Sequence, residues 1–425
     1  MQFTQRSIGR KVLWRLAVPA IAFMLLSSLD RVNISFAALQ MNSELGFTPS
    51  QYGFGAGILF LGFLTAQYPS VLLLQRFGMR RWISCCAMLW ACCAAGIAFV
   101  HSPLQFYVLR VLLGFAEGGL APGIVLYLSQ FATERERATT FALPMLAIPL
   151  SIIVGGPISG WLMTAATPLG LAGWRWMLIA EALPTIVLGI AAWFYFPDRA
   201  DEVRWLSDEE RQWLTRNAAN RAVDESRNDW RVLGQPMVWC AALLWFCLLS
   251  GAYGIMFWLP QMIKQLANLS AFQIGFINAL PWLGAIIGTY FNSVHSDRTG
   301  ERFFHISVPA AAAAAAILFA WGLGAGVPGL IMLFVAGLGL GAAQGAFWAL
   351  PTSSLTPSTF AVAAVAINIA GSSGGLVIPH LVGYLRERSG NFAAPTVLIA
   401  CLLLLAAVLV TFIRRMFFVR PTVRA

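Results

Sequence analysis

The sequence predicts an all-α membrane protein with twelve transmembrane helices in two pseudo-symmetric six-helix bundles. Of its 425 residues, 59% are hydrophobic and only 11% are charged, whereas roughly a quarter of the residues of a soluble chain carry a charge. Apolar runs of about 20 residues, long enough to cross the hydrocarbon core as a helix, recur along the chain. One long hydrophilic stretch, residues 197–236, separates these runs into two sets of six.

The apolar runs define the predicted spans and domains. The spans lie near residues 14–38, 49–74, 82–100, 104–129, 139–164, 174–196, 237–262, 272–294, 304–324, 327–350, 361–384 and 395–413. The predicted domains are an N-terminal tail at 1–13, a bundle at 14–196, a linker at 197–236, a second bundle at 237–414 and a C-terminal tail at 415–425. We expect no signal peptide, because the first apolar run is too long and lacks a small-residue cleavage site.

The basic residues predict that both termini lie in the cytoplasm. Most of the 28 Lys and Arg residues fall in segments that this orientation places inside, as the positive-inside rule requires. The predicted outer loops hold only Arg175, Lys264, Arg386 and Arg388. The net charge of +10 therefore follows from topology, and we expect a lipid bilayer but no nucleic acid as a partner. We expect a monomer in the plasma membrane, the inner membrane of a bacterium.

Two predicted spans of the first half, the first and the fourth, each contain an acid and an arginine well inside the span. Asp30 and Arg31 interrupt the first span, whereas Arg110 and Glu117 lie seven residues apart, close to two helical turns, in the fourth. A charge near the bilayer centre costs roughly 3 kcal/mol or more, so such groups persist where they pair or line a wet cavity. We therefore expect the two spans to face one another, with the four groups in one cluster that holds an anion and a proton.

The second half repeats the first weakly and lacks these charges. The loop at 297–302 follows the eighth span as 75–80 follows the second, at an offset of 222 residues. Two parallel six-span halves with a substrate site between them are a known plan of transporters. The second half is then expected to contribute polar and aromatic contacts. The predicted substrate ligands besides the two arginines are Asn33, Gln67, Tyr253, Trp258, Trp348, Asn368 and His380.

The hydrophilic segments contain further candidates. Ser207 to Glu210 has the pattern of a capping box that opens a surface helix of the linker. Charged and glycine residues of the cytoplasmic loops are predicted to gate the transporter, and the alternative is a solvated loop that contributes little. The predicted gating residues are Gly78, Arg80, Arg81, Glu134, Arg135, Asp297, Arg298, Gly300 and Arg302.

At these residues the chain resembles the major facilitator superfamily and, within it, the anion:cation symporter branch. The resemblance covers residues 14–414 and rests on strings that include LDRVNIS, RVLLGFAEGGLAPG, ERERA, GGPISGW and HSDRTGERFFH. It implies that Arg31 and Arg110 bind the anion and that Asp30 and Glu117 exchange protons. It also implies a substrate such as a sugar acid, a hydroxy-dicarboxylate or an aromatic acid.

Three positions depart from the pattern of that branch. Gln75 stands where the loop motif usually has an acid, which weakens a charge lock at that position. Phe63 replaces what is often Tyr and removes one hydroxyl from the pocket. His380 stands where an uncharged residue is usual, and it either adds substrate specificity or bonds to the backbone.

These observations predict a proton-coupled secondary transporter that imports a small organic anion by alternating access. Protonation of the buried acids frees positive charge for the anion, so the proton and the anion each improve the binding of the other. The alternatives are sodium coupling, a proton-driven antiporter that exports drugs or metabolites, an anion exchanger and a passive anion channel. Residues 155–160 match an exporter pattern only in part, because Trp161 replaces its last glycine.

The sequence gives no indication of an enzyme. It contains no His-Glu-x-x-His motif and no spacing typical of a catalytic Cys/His site. Its seven cysteines lie in predicted spans and are interpreted as small buried apolar residues. We therefore expect neither a metal nor a cofactor.

Overall fold

The computed structural model describes residues 2–131, 147–165, 170–198, 202–203, 205–212, 214 and 229–418, and these residues form helices without a β-strand. In the first half the helices are α1 Gln2–Val12, α2 Val18–Leu45, α3 Pro49–Ile97, α4 Pro103–Glu117, α5 Leu120–Phe131, α6 Ala147–Thr164 and α7 Gly173–Tyr195. In the second half they are α8 Pro236–Leu266, α9 Ala271–Thr299, α10 Phe304–Leu323, α11 Val327–Phe347, α12 Ala349–Ser354, α13 Pro357–Ser389 and α14 Ala393–Ile413.

The helical segments of the described residues provide twelve membrane crossings. Eleven segments are long and apolar enough to cross a membrane. One of them, α3, has 49 residues and is therefore about 70 Å long, more than twice the thickness of the hydrocarbon core. It breaks at Gly78, whose φ of 82° and ψ of 169° are not helical, and so it crosses twice. The predicted fold class is confirmed.

Helix boundaries reveal the repeat of the two halves. α3 begins with a capping box between Thr48 and Gln51, and α9 begins with one between Ser270 and Gln273. The loop glycines that follow the first crossing of each helix, Gly78 and Gly300, both have positive φ. All three pairs of positions are separated by 222 residues, the offset that the loop motif predicts. Equivalent crossings of the two halves therefore start and stop on the same local signals.

The two halves pack closely at the end of the molecule that lies opposite the linker. α3 packs on α13, where a Cβ added to Gly57 would lie 2.6 Å from the Leu376 carbonyl oxygen. α6 packs on α9, where a Cβ added to Gly156 would lie 2.9 Å from the Gly275 carbonyl oxygen. Small residues allow helix backbones to approach in this way.

Polar contacts join the halves at the same end. The Tyr52 hydroxyl donates to the Phe257 carbonyl oxygen at 2.8 Å. Lys264 donates to the Leu39 carbonyl oxygen. The halves are thus held together by apolar and polar contacts on the side away from the linker.

At the linker end, the N-terminal helix is bound to the linker. Ser207 and Glu210 form the predicted capping box, with Glu210 N donating to Ser207 Oγ at 3.2 Å and Ser207 N donating to Glu210 Oε2 at 3.0 Å. Lys11 of α1 lies 2.7 Å from the same carboxylate. Burial raises the pKa of Glu210, but hydrogen bonds from Lys11, Ser207 and Ser7 outweigh burial and hold that pKa below its ordinary value. The carboxylate therefore stays ionised at neutral pH and keeps this contact.

We expect Gly57→Val to favour a conformation that is open at the end opposite the linker, because the added side chain cannot share space with the Leu376 carbonyl. Spin labels at Ser43 and Gln265, in a cysteine-free background, will report a longer distance. Gly322→Val is the matched control, since a Cβ at Gly322 meets nothing within 4 Å. An unchanged distance in Gly57→Val would show that this close contact does not hold the halves together.

Candidate functional site

A cavity of about 430 Å³ lies between the two halves. Its walls come from both halves: Met24, Ser27, Ser28, Arg31, Phe63, Glu117, Leu120, Ala121, Ile148, Trp245, Leu249, Tyr253, Trp348, Asn368 and Ser372. In α2, α8 and α13 these residues lie nearer the linker end than the contacts that join the halves. The cavity is therefore closed off from the opposite end by those contacts.

Helical periodicity explains which residues face the cavity. Met24, Ser27, Ser28 and Arg31 occupy positions i, i+3, i+4 and i+7 of α2 and so share one face. The three cavity residues of α8, at positions 245, 249 and 253, are spaced four apart. Each helix thus presents one stripe to the cavity and packs its other faces against its own bundle or against lipid.

Close packing of α4 on α3 places Glu117 at the cavity wall. A Cβ added to Gly114 or Gly118 of the fourth crossing would overlap the backbone of α3, so only glycine permits this approach. Glu117 is the last residue of α4, beside Gly118. Its side chain is fully buried, and it faces α2 from the position that this packing gives it.

Arg31 and Glu117 form an ion pair across the cavity wall. Arg31 Nη2 lies 3.3 Å from Glu117 Oε2. The Ser27 hydroxyl donates to the same oxygen at 2.9 Å and accepts from Arg31 Nη2 at 3.3 Å. The Arg31 guanidinium also lies 5.0 Å from the centre of the Phe63 ring. These three contacts hold the arginine in place at the edge of the cavity.

This ion pair is incompletely satisfied. Arg31 Nε and Glu117 Oε1 are buried and have no hydrogen-bond partner in the part of the chain that the structure describes. A buried charge is stable only when it is paired and its remaining hydrogen-bonding groups are used. The pair therefore retains capacity for another ligand, and an anion in the cavity supplies acceptors that an arginine can bind.

Aromatic and polar groups of the second half face the pair. Trp245 stacks on Phe347, with ring centres 4.4 Å apart, and meets Trp348 edge-on at 5.4 Å. Tyr253 packs against Phe60 of the first half, with ring centres 4.7 Å apart. Asn368 adds an exposed amide to this wall. The cavity thus combines one cation, one acid, hydroxyl and amide groups and flat aromatic surfaces.

Arg110 lies elsewhere, which corrects the expected four-charge cluster. It is fully buried and donates to the carbonyl oxygens of Gly55 and Ala56 at 3.3 and 3.2 Å. It does not line the cavity. Arg110 and Glu117 share a face of α4, but seven residues of helix separate them by about 10 Å along the axis. Arg110 is thereby shifted toward the end opposite the linker.

Asp30 and Asn33 also face away from the cavity. Asp30 accepts from Trp90 Nε1 at 2.9 Å and from Asn33 Nδ2 at 3.2 Å, inside the first bundle. Asp30 is rotated about 100° from Arg31 around α2, and its side chain points to Trp90 inside the bundle and not into the cavity. Among the described contacts, Asp30 forms no ion pair with either arginine. The predicted cluster therefore reduces to the Arg31–Glu117 pair in this conformation.

Three further predicted substrate ligands do not line this cavity. Trp258 is fully buried and donates to the Pro379 carbonyl oxygen at 3.1 Å. His380 is exposed on the outer face of α13 and packs edge-on against Phe54, with ring centres 5.5 Å apart. Gln67 is partly buried on α3. Of the predicted ligands, Arg31, Tyr253, Trp348 and Asn368 lie at the cavity, and their roles remain predictions.

The first-half loop residues contact their own half and the first residues of the linker. A Cβ at Gly78 would lie 2.5 Å from Asp198 Oδ1, and the same oxygen accepts from Arg80 N at 2.8 Å. Arg80 Nε also donates to the Phe196 carbonyl oxygen at 3.1 Å. Gly78 and Arg80 thus join the loop to the end of α7, while the Arg81 side chain is exposed.

The second-half loop has similar local contacts. Gly300 adopts the left-handed conformation and caps α9. Arg302 lies 2.5 Å from Asp297 and donates to Ser296 Oγ at 3.0 Å, while Arg298 is exposed. Glu134 and Arg135 lie outside the described residues. Since no described contact of either loop reaches the opposite half, gating remains a prediction.

Sequence reasoning missed several cavity residues. Ser27, Trp245 and Ser372 were not among the candidates, yet each lies one or two turns from a predicted residue on the same helix face. Extending the stripe by four residues from Arg31 and Asn368, and by eight residues from Tyr253, would have found them. In the described part of the chain, no cluster of three or more His, Cys, Asp or Glu side chains is arranged to hold a metal ion.

The chain is similar to known membrane transporters. Residues 20–379 match the family described as the Major Facilitator Superfamily. A protein of Agrobacterium vitis that is named for tartrate transport is 39% identical over 415 residues, which cover 96% of this chain and 91% of the relative. A quinolone resistance transporter of Acinetobacter baumannii is 32% identical over 409 residues, which cover 95% of this chain and 94% of the relative.

A solved structure shares the fold. It is a bacterial homologue of the human lysosomal transporter Spinster in an inward-facing and occupied conformation. The superposition has a TM-score of 0.80 and covers 96% of this chain and 98% of that chain, at 16% sequence identity. At this identity the likeness concerns the fold alone.

Proposed function

This chain belongs to the Major Facilitator Superfamily and is a multi-pass membrane transporter, not an enzyme, and we propose that it imports a small organic anion together with protons. The observation that supports this proposal best is the Arg31–Glu117 ion pair at the wall of the central cavity. The cavity holds a cation that can bind an anion and an acid that can bind a proton, in direct contact with each other.

The contact between the two groups provides the coupling. While Glu117 is ionised, it neutralises Arg31 and competes with the anion. When Glu117 accepts a proton, Arg31 loses its partner, and a carboxylate of the substrate takes the place of the lost charge. The proton and the substrate then favour each other's binding by the same free energy. Ser27 keeps its hydrogen bond to Glu117 in either state because a hydroxyl both donates and accepts.

Alternating access follows from the packing of the halves. With both termini in the cytoplasm, the contacts of Tyr52, Lys264 and Gly57 close the outer side, and this conformation faces inward. Breaking these contacts and closing the linker side would expose the cavity to the outside. An inward movement of net positive charge gains about 2.3 kcal/mol per elementary charge and 100 mV. The membrane potential therefore favours uptake when more protons than anionic charges enter in one cycle. We place the protein in the bacterial inner membrane.

The cavity walls favour a hydroxylated or aromatic carboxylate. Asn368 and the hydroxyls of Ser27, Ser28 and Ser372 can bond to substrate hydroxyls, while Trp348 offers a flat surface. The similarity to a protein named for tartrate transport supports a hydroxy-dicarboxylate. The similarity to a quinolone resistance transporter supports the alternative, a proton-driven exporter, since that drug class also combines a carboxylate with an aromatic ring.

Thermal-shift screening against carboxylates tests the substrate class. The purified protein is heated with hydroxy-dicarboxylates, sugar acids, aromatic acids and quinolones at one concentration. A ligand that binds the native state stabilises it in proportion to its affinity. We expect stabilisation by one anion class and none by the uncharged sugars of matched size. Stabilisation by uncharged sugars alone would contradict the proposal.

Trp348→Ala and Asn368→Ala are expected to weaken substrate binding about tenfold, which corresponds to roughly 1.4 kcal/mol, without abolishing the proton dependence of transport. Both side chains line the cavity but neither contacts the Arg31–Glu117 pair in the described contacts. The measurement is the substrate Kd and its change between pH 6 and pH 8. Trp258→Phe is the control, because that ring lies outside the cavity. Unchanged affinity in both Ala variants would show that these two side chains do not contact the substrate.

A further inference from the structure

We propose that Glu181 of α7 is a second proton-binding group of the first half, linked to Asp30 by the Asn33 amide so that the two acids together hold one proton. This inference rests on the proposed proton coupling and extends it, since it adds a titrating pair behind the cavity wall. Glu181 is not one of the four charges of the predicted cluster, and the proposal rests on its buried position within the first bundle.

Glu181 is buried deep in the first bundle and is only partly satisfied. Its side chain is 4% exposed. Ser159 of α6 donates to Glu181 Oε1 at 2.6 Å, but Oε2 is buried and finds no hydrogen-bond partner among the described residues. A carboxylate that served packing alone would have both oxygens bonded, because each unbonded buried oxygen is costly. A protonated Oε2 requires less stabilisation from its surroundings than an ionised one.

Asp30 lies on the other side of the same amide. Asn33 donates to Asp30 Oδ1 at 3.2 Å, and the Asn33 side chain also interacts with Glu181. The Asn33 NH₂ group has two hydrogens, so the one amide can donate to Asp30 and to the Glu181 carboxylate and thereby link the two acids.

The charges around the pair do not neutralise it. From α2 the facing groups are Asp30 and Asn33, from α3 Trp90, and from α6 Ser159. The fourth crossing contributes Glu117, a further acid that interacts with Asp30 through space. Arg110 acts on Asp30 only at long range, since it donates to backbone carbonyls. Among the described residues, no cation forms an ion pair with Asp30 or Glu181.

Two buried carboxylates that share one amide and lack a cation cannot both be ionised without a large cost. The pair therefore holds one proton, on Glu181 when Asp30 accepts its two hydrogen bonds. Deprotonation breaks the Glu181 O–H bond, and the proton leaves to solvent. Together with Glu117, the first half would then bind two protons at separate places. Glu181 acts here as a proton-binding residue and not as a substrate ligand.

Infrared spectroscopy of the purified full-length protein tests this proposal without relying on transport. A neutral carboxylic acid has a carbonyl band that is separate from that of a carboxylate. We expect Glu181→Gln to remove one neutral-acid band that titrates in the wild type. Glu209→Gln, which changes an exposed acid of the linker, should leave every such band unchanged. Ser159→Ala should shift the frequency of the Glu181 band, because it removes the donor to Oε1.

A transport assay adds a second readout. In the wild type, loss of the shared proton leaves two ionised carboxylates side by side, whereas in Glu181→Gln it leaves only that of Asp30. The midpoint of proton-dependent substrate binding in Glu181→Gln should therefore move to lower pH, by about tenfold in proton concentration. An identical set of infrared bands in Glu181→Gln and the wild type would overturn the inference, even if transport remains proton-driven. If the wild type shows the Glu181 band but no proton-driven transport, that result would instead contradict the proposed function.

Discussion

Arg31→Ala is expected to abolish substrate binding and transport while the protein remains folded. Arg31 is the arginine at the cavity, and its side chain is 14% exposed there. Removing it leaves Glu117 without its cation, so Glu117 becomes neutral and the site loses its positive charge. Charge-assisted hydrogen bonds are worth about 1.5–3 kcal/mol each, so the loss of two to a carboxylate reduces affinity by at least two orders of magnitude.

The control variants separate anion binding from structural effects. Arg31→Lys should restore little substrate binding, because an ammonium lacks the planar fork that binds both oxygens of a carboxylate. Arg110→Ala should lower the thermal stability, because the carbonyls of Gly55 and Ala56 lose their donor. Thermal unfolding and substrate-induced stabilisation are measured on all three variants. Normal affinity in Arg31→Ala would show that the anion binds elsewhere.

Glu117→Gln is expected to exchange substrate normally and to lose all uphill accumulation. The amide keeps the shape of a neutral acid, and its oxygen can accept from Ser27 and Arg31 as the carboxylate does. Arg31 is then permanently available for the anion. Because no proton can leave Glu117 to restore its ion pair with Arg31, a pH gradient cannot drive net uptake. Counterflow between two loaded compartments should persist, whereas accumulation driven by a pH gradient should fall to the level of empty vesicles.

Asp30→Asn provides the comparison for Glu117→Gln. Since Asp30 faces Trp90 and Asn33 inside the bundle, we expect this variant to bind substrate and to change the pH dependence without removing the coupling. Uphill accumulation by Glu117→Gln in the absence of sodium would show that Glu117 does not carry the coupled proton. Dependence of wild-type accumulation on a sodium gradient would favour the sodium alternative.

Local signals made the fold predictable. Apolar length defined the crossings, and the loop offset of 222 residues recurs in the capping boxes of α3 and α9. The two crossings of α3 are separated by Gly78, where the loop motif predicts a turn. Each of these features depends on residues close together in the chain. Helix caps, left-handed glycines and apolar runs need no information about the partner helix.

The site was only partly predictable, because hydropathy does not define how a helix is rotated. Asp30 and Arg31 are adjacent in sequence but point to different environments, one into the bundle and one to the cavity. Arg110 shares a helix face with Glu117 but lies two turns nearer the closed end. His380 shows the same difficulty, since an exposed residue of a transmembrane helix can face lipid as well as a cavity. Rotation and depth depend on contacts between distant helices.

A pH measurement inside vesicles tests most directly whether the anion and the proton cross together. Purified protein is reconstituted into vesicles that contain a pH-sensitive dye, with the membrane potential clamped and the pH equal on both sides. A carboxylate that stabilises the protein in the thermal-shift screen is then added outside. We predict that the vesicle interior becomes acidic as the substrate enters, and that Glu117→Gln abolishes this change. Substrate entry with no pH change, or with an interior that becomes alkaline, would contradict proton-coupled import.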